Sequence, residues 1–202
     1  MTLATKPEVF IVESLNFRDE QLERYEGQII SKILALSGKQ CHYYYIRTQR
    51  ELEVVLTKFT KSTYRYLHFS CHGNNKNIYT TLDEIPFARF GALLMPHLRE
   101  KRLFVSACSV ANNRLAKNVL LGSGCYSLLG PAQDIAFGDA AVFWSSLYHI
   151  MFSENPNAMK RPILREKAQI LANIFKVRLT YFGQEEMSKR GYSSSVIKPR
   201  TR

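Results

Sequence analysis

Two short stretches carry the residue types that could do chemistry. Tyr66–Gly73 reads Tyr-Leu-His-Phe-Ser-Cys-His-Gly, and Leu103–Ser109 reads Leu-Phe-Val-Ser-Ala-Cys-Ser. Each is an apolar, strand-like run that ends in a reactive side chain, His72 in the first and Cys108 in the second. A free thiol has a pKa near ~8.5, so little of it is the nucleophilic thiolate at neutral pH. A neighbouring imidazole can accept its proton and later pass it to a leaving amine. Gly73 lets the backbone come close to a substrate, and its N–H, with that of Cys108, is a candidate donor to a developing oxyanion. This chemistry requires the two strands to be neighbours, with both ending at one rim. In open parallel sheets the carboxyl ends of strands are where ligands gather.

The elements that must position this pair follow from periodicity. Glu8–Leu15 is an apolar, β-branched run that suits a buried strand. Asn16 is placed to cap a helix with Asp19 and Glu20 near its positive end. Leu22, Tyr25, Ile29, Ile30, Ile33 and Leu34 then form one helical stripe. Cys41–Arg47 reads as a second strand, and Thr48 with Glu51 has capping-box spacing ahead of a helix bearing Leu52, Val55, Leu56 and Phe59. The third strand, Tyr64–Cys71, delivers His72. Asn74–Asp83 is polar and irregular and reads as a rim loop. A helix with Phe87, Phe90, Leu93 and Leu94 inward leads to the fourth strand, Arg102–Cys108. Asn112 or Asn113 caps a short helix. Cys125–Leu129 is a fifth strand, and a long helix follows with Ala140, Phe143, Trp144, Leu147, Tyr148 and Met151 inward. Pro162–Lys176 is a last helix, with Leu164, Ala168, Leu171 and Ile174 inward, and Val177–Gly183 a last edge strand. Strands that alternate with helices predict a parallel sheet covered on both faces.

Composition bounds the remaining possibilities. The chain has 202 residues, 46% hydrophobic and 22% charged, which suits one ordinary globular domain. We expect a single domain over residues 1–186 and a basic, flexible tail over 187–202. No apolar run approaches the ~20 residues that cross a bilayer, and the first residues lack a signal-peptide core, so the expectation is a cytoplasmic protein without a membrane partner. The four cysteines, Cys41, Cys71, Cys108 and Cys125, lack paired short spacing and read as free thiols. Net charge is +11, of which residues 156–202 hold +8, from 11 Lys/Arg and 3 Asp/Glu. Such a quarter reads first as a solvated helix face with a loose tail, and could also touch nucleic acid, an acidic protein partner or anionic lipid; its charges are not interleaved with the exposed aromatics or Gly-rich motifs of a nucleic-acid reader.

The order of these motifs resembles the caspase-like cysteine peptidases, and most closely the branch called CHAT. That branch has an apolar strand with His-x-x-x-His-Gly, then an apolar strand with Ser-Ala-Cys. Here these are His68, His72-Gly73 and Ser106-Ala107-Cys108. Leu128-Leu129-Gly130-Pro131 and Asp139–Tyr148 are similar to its fifth strand and following helix, and Val177–Gly183 to its closing strand. Cys108 is followed by Ser109-Val110-Ala111, where the branch commonly has an acidic-polar-Gly run.

The resemblance implies a three-layer α/β fold, with a six-stranded, mainly parallel sheet between helices, and peptide-bond cleavage without a cofactor or metal. It implies His72 as general base, Cys108 as nucleophile, and the Gly73 and Cys108 backbones as the oxyanion hole. It further implies a protein substrate and an activating or sensor protein, and, in a prokaryote, a role in stress or defence. Asp134, after the fifth strand, is the candidate to select a basic substrate side chain, with Asp139 and Asn74 as further candidate substrate contacts. His68 reads as a buried hydrogen-bonding support and Cys71 as core. A zinc site from His68, Cys71, His72 and Cys108 would draw on both faces of one strand, which is poor ligand geometry. The competing function is a catalytically inactive α/β binding module that uses the basic C-terminal region.

Overall fold

The computed structural model describes residues 5–185 and 187–200. Its strands are β1 (Lys6–Glu13), β2 (Cys41–Tyr45), β3 (Tyr64–Ser70), β4 (His72–Gly73), β5 (Asn77–Tyr79), β6 (Glu84–Pro86), β7 (Arg102–Ser106), β8 (Ser127–Pro131), β9 (Leu179–Gln184) and β10 (Tyr192–Ile197). Its helices are α1 (Phe17–Gln21), α2 (Glu26–Leu36), α3 (Gln49–Ser62), α4 (Phe87–Leu94), α5 (Asn113–Leu120), α6 (Phe137–Glu154) and α7 (Arg161–Phe175). The main sheet has seven strands in the order β10-β9-β8-β7-β3-β1-β2. Strands β2, β1, β3, β7 and β8 are parallel, and β9 alone is reversed, pairing antiparallel with β8 on one side and β10 on the other.

Each face of the sheet buries its own core. On one side Leu52, Leu56 and Phe59 of α3, Phe90 of α4 and Leu115 of α5 pack with Phe10, Leu67 and Phe69 from the strands. On the other, Ile30 and Leu34 of α2, Trp144, Leu147 and Tyr148 of α6 and Leu164 and Ala168 of α7 pack with Val9, Ile11 and Tyr66. Strand residues thus alternate between two apolar layers, as covered parallel sheets require. The Thr48–Glu51 capping box and the Asn112 cap form as their spacing predicts. Among the described residues no helix is long and apolar enough to cross a membrane.

Several local expectations are corrected. The helix after Asn16 is two helices: α1 stops after five residues, Glu23 adopts φ 51°, and Leu22 and Ile29 are exposed. Residues 74–83 are not an irregular loop, because β5 pairs antiparallel with β4 and β6 in a small second sheet. The stretch expected to be a flexible tail contains β10, which pairs with β9 along its length and buries Tyr192 and Ile197. The sheet therefore has seven strands where six are expected, and β9 lies inside it. Ile174, expected inward on α7, is exposed, since the helix turns only Leu164, Ala168, Leu171 and Ala172 to the core.

Candidate active site

β3 and β7 are adjacent and parallel, with Ser70 paired to Ser106, so both chemical stretches end at the same rim. Beyond the register the chains stay together, and the Cys71 N–H donates to the Ser106 carbonyl at 3.1 Å. Gly73 then packs against the cysteine turn. A Cβ at position 73 would lie 2.5 Å from Val110 Cγ1 and 3.3 Å from Ala107 Cβ, so a larger residue would push the two halves apart. In the β4–β5 ladder the Asn74 N–H donates to the Asn77 carbonyl. Antiparallel pairs alternate between bonded and non-bonded, which turns the Gly73 N–H away from β5.

His72 is held by a residue that the sequence does not single out for this role. The imidazole Nε2 lies 2.7 Å from Asp19 Oδ2, and the buried Asp19 carboxylate also takes Arg24 Nη1 at 2.9 Å on Oδ1. Asn16 fixes Asp19 by accepting its backbone N–H at 2.8 Å, and the Asn16 amide lies 3.1 Å from His72 Nε2. A neutral imidazole carries one hydrogen. With that hydrogen on Nε2, facing the closer carboxylate, Nδ1 is left as the acceptor and the Asn16 amide is a contact and not a hydrogen bond. The Phe137 ring, at the start of α6, stands edge-on to the His72 ring with centroids 5.5 Å apart.

Cys108 sits just past β7, half-buried. Its Sγ is 3.8 Å from the Ile135 carbonyl, which accepts the thiol hydrogen. Ser109, the next residue, adopts φ 57°, a left-handed turn that costs a non-glycine residue about 1 kcal/mol or more. Two contacts over-determine the turn. The Ser109 N–H donates to the Gln133 carbonyl at 3.1 Å, and Ser109 Oγ donates to Asp134 Oδ1 at 3.0 Å. Burial raises the Cys108 pKa; the Ile135 backbone offsets part of this, and the Asp134 carboxylate adds to it. Cys41 and Cys125 are pushed up to about 12, mainly by burial, and buried Cys71 is raised well above its ordinary value.

The remaining candidates separate. Asp134 is exposed and lies against the residue that follows Cys108. Asp139 is exposed in the first turn of α6. The Asn74 side chain is taken up within its own turn: Oδ1 accepts the Lys76 and Asn77 N–H groups, and Nδ2 donates to Tyr79 Oη at 2.7 Å. His68 is fully buried, with Nδ1 2.9 Å from Tyr148 Oη and Nε2 3.6 Å from Glu26 Oε1. Glu26 Oε2 accepts the Ser70 hydroxyl at 3.1 Å, which places a buried carboxylate under the end of β3. Among the described residues no cluster of His, Cys, Asp and Glu is arranged to hold a metal.

Among solved structures, a secreted C11 cysteine protease from Bacteroides thetaiotaomicron superposes with a TM-score of 0.57 over 90% of this chain at 8% identity. The fold is caspase-like. The same protease with an irreversible peptide inhibitor gives 0.59 over 88% of the chain at 9% identity. Caspase-1 from Spodoptera frugiperda gives 0.55 over 96% of this chain and 86% of its own, at 12% identity. The chain spans about two thirds of the C11 protease, 67% and 66% in the two structures. At these identities the likeness is one of fold. No protein-family model and no curated protein matches the sequence.

Asp19, which stands against His72, is the residue of the candidate site that sequence reasoning missed. Its position near a capped helix start explains its type without reference to His72, and 53 residues separate the two.

Proposed function

We propose that this caspase-like chain is a cysteine endopeptidase of the CHAT type. The observation that carries the proposal is the joining of the two strand ends: Gly73 is wedged against Ala107 and Val110, so the imidazole held by Asp19 and the Cys108 thiol share one rim. His72 Nδ1 takes the thiol proton as the sulfur attacks a peptide carbonyl carbon. The Gly73 and Cys108 N–H groups receive the oxyanion, an interaction worth about 3–4 kcal/mol per donor in other enzymes. The carbon–nitrogen bond breaks as His72 returns the proton to the amine. Water, activated by the same ring, then hydrolyses the thioester. Asp19 keeps the ring in the tautomer this sequence needs, as the carboxylate of a catalytic triad does.

We assign to Asp134 the pairing with a Lys or Arg side chain before the scissile bond; its exposure and its bond to Ser109, next to Cys108, support this reading. The resting thiol, bonded to Ile135, supports control by an activating partner, in keeping with a regulated cytoplasmic effector of stress or defence. The test is co-expression with the proteins encoded beside it, comparing wild type with Cys108→Ala. A cleavage product seen only with wild type is expected; its absence, together with equal labelling of all four thiols by an electrophilic probe, refutes the peptidase. Unchanged preference between basic and apolar substrates in Asp134→Ala refutes the role of Asp134.

A further inference from the structure

The excess positive charge is organised on the side of the molecule formed by β9, β10 and α7. At the sheet edge opposite the rim, Arg102, Tyr126, Arg161, Tyr181 and Gln184 line an open cleft of about 400 Å³. Tyr181 lies between the two guanidiniums. Arg102 Nη1 donates to its hydroxyl at 3.4 Å, and Arg161 Cζ stands 5.4 Å from its ring centre. Arg102 also stands 5.8 Å from the ring of Tyr126, which is 44% exposed. Arg161 lies flat on Gly183, where a Cβ would fall 2.1 Å from Nη2, so that glycine is the seat of the guanidinium.

The positive strip continues up the molecule. Arg161 and Arg165, one helical turn apart, donate to Ser193 and Ser195 of β10 at 2.7 and 2.8 Å. A second cleft of about 600 Å³ follows, lined by Arg165, Gln169, Asn173, Ser195 and Arg200 among others, with Glu166 as its one carboxylate. From Arg161 to Asn173 this strip spans about 18 Å of helix. Among the described residues none of Arg102, Arg161, Arg165 and Arg200 is ion-paired to a carboxylate, and the first three spend donors on neutral hydroxyls.

We infer that this strip binds single-stranded nucleic acid, with backbone phosphates on the four arginines and a base stacked on Tyr126. Unpaired guanidiniums spaced along a groove suit repeated phosphates, and an exposed aromatic ring at one end suits a base, which an acidic peptide does not supply. The inference stands independently of the peptidase proposal.

The test is fluorescence anisotropy of the full chain with labelled dT15 and rU15 between 50 and 200 mM salt. Each phosphate contact on a single strand contributes a slope near −0.7 in log affinity against log salt. Four contacts give about 50-fold weaker binding across that range. Arg165 and Tyr126 are both exposed, so their substitution spares the core, and unchanged melting temperatures verify this. Arg165→Ala should flatten the slope by about 0.7, and Tyr126→Ala should weaken binding about 10-fold. Absence of binding to both probes at 50 mM salt overturns the inference. So does binding that neither variant alters, or poly-glutamate of equal length binding as tightly.

Discussion

Glu13 offers a prediction whose size follows from its surroundings. It ends β1, is fully buried, and accepts the Gly27 N–H at 2.7 Å on Oε1 and the Tyr43 hydroxyl at 2.8 Å on Oε2. Burial raises its pKa from 4.5 to about 7; these two hydrogen bonds hold it down, and the nearby Glu26 carboxylate adds to the rise. The folded chain therefore holds this proton more tightly than the unfolded chain. Its stabilising contribution is full below about pH 4.5 and is lost as pH rises through 7. The loss amounts to about 3 kcal/mol at ~1.36 kcal/mol per pKa unit. Glu13→Gln keeps the shape, an acceptor for Gly27 and a donor for Tyr43, and removes the titration. Urea unfolding of both proteins at pH 5 and pH 8 measures the outcome. Relative to wild type, the variant should gain about 2.5 kcal/mol between those pH values, with the urea slope unchanged. A difference between the two proteins that is the same at both pH values would refute the reasoning, because it would mean that Glu13 titrates alike in the folded and unfolded chains.

Three further outcomes are expected. Asp19→Asn should lower kcat by about 10²–10⁴ while leaving labelling of Cys108 by a neutral electrophile detectable, since it removes the tautomer control on His72 and not the thiol; a loss under threefold in kinetic assays would exclude the role. Gly73→Ala should abolish turnover and destabilise the fold by about 1–3 kcal/mol, measured by denaturant titration, because its Cβ would overlap Val110. Lys101 is buried with its Nζ 3.8 Å from the centre of the Phe59 ring, and burial lowers its pKa to about 8. The folded chain thus holds this proton less tightly, stability rises with pH from about 8 to 10.5, and Lys101→Met should be more stable than wild type at pH 7 by about 1–3 kcal/mol, an advantage that shrinks by pH 10 in paired melts.

The parts of the fold legible in the sequence are those set by local pattern. The alternation that packs Val9 and Ile11 on one face and Phe10 and Val12 on the other, the Thr48 capping box, and the α6 stripe from Ala140 to Met151 are written in periods of two and 3.6. The missed parts depend on distant partners. Nothing local to Ser193-Ser194-Ser195 favours a strand; β9 supplies the ladder and α7 supplies Arg161 and Arg165 to the hydroxyls. The break after α1 occurs at Glu23, a residue without glycine's freedom, and Arg24 beyond it is held by Asp19 and stands 5.6 Å from the Phe137 ring centre. Within the site, His72 and Cys108 were legible as strand ends, whereas Asp19 was not. Tyr126 and Arg102, 24 residues apart, meet Arg161 only through the sheet.

The strand order has a consequence for how the chain comes into being. Once β1, β2 and β3 have paired, each later strand of the main sheet, β7, β8, β9 and then β10, joins the same edge in the order in which it is synthesised. Growth is thus one-directional, and His72 arrives on what is then the outermost strand, with Asp19 already made. At roughly 5–20 residues per second, the ribosome needs roughly 3–13 s to travel from His72 to Phe137. Cys108, Ile135 and Phe137 are all synthesised within that interval, after His72 and Asp19. In a domain that folds as a unit, His72, Asp19 and Cys108 therefore come together only once β7 and the start of α6 have joined the sheet, however early the first two are made.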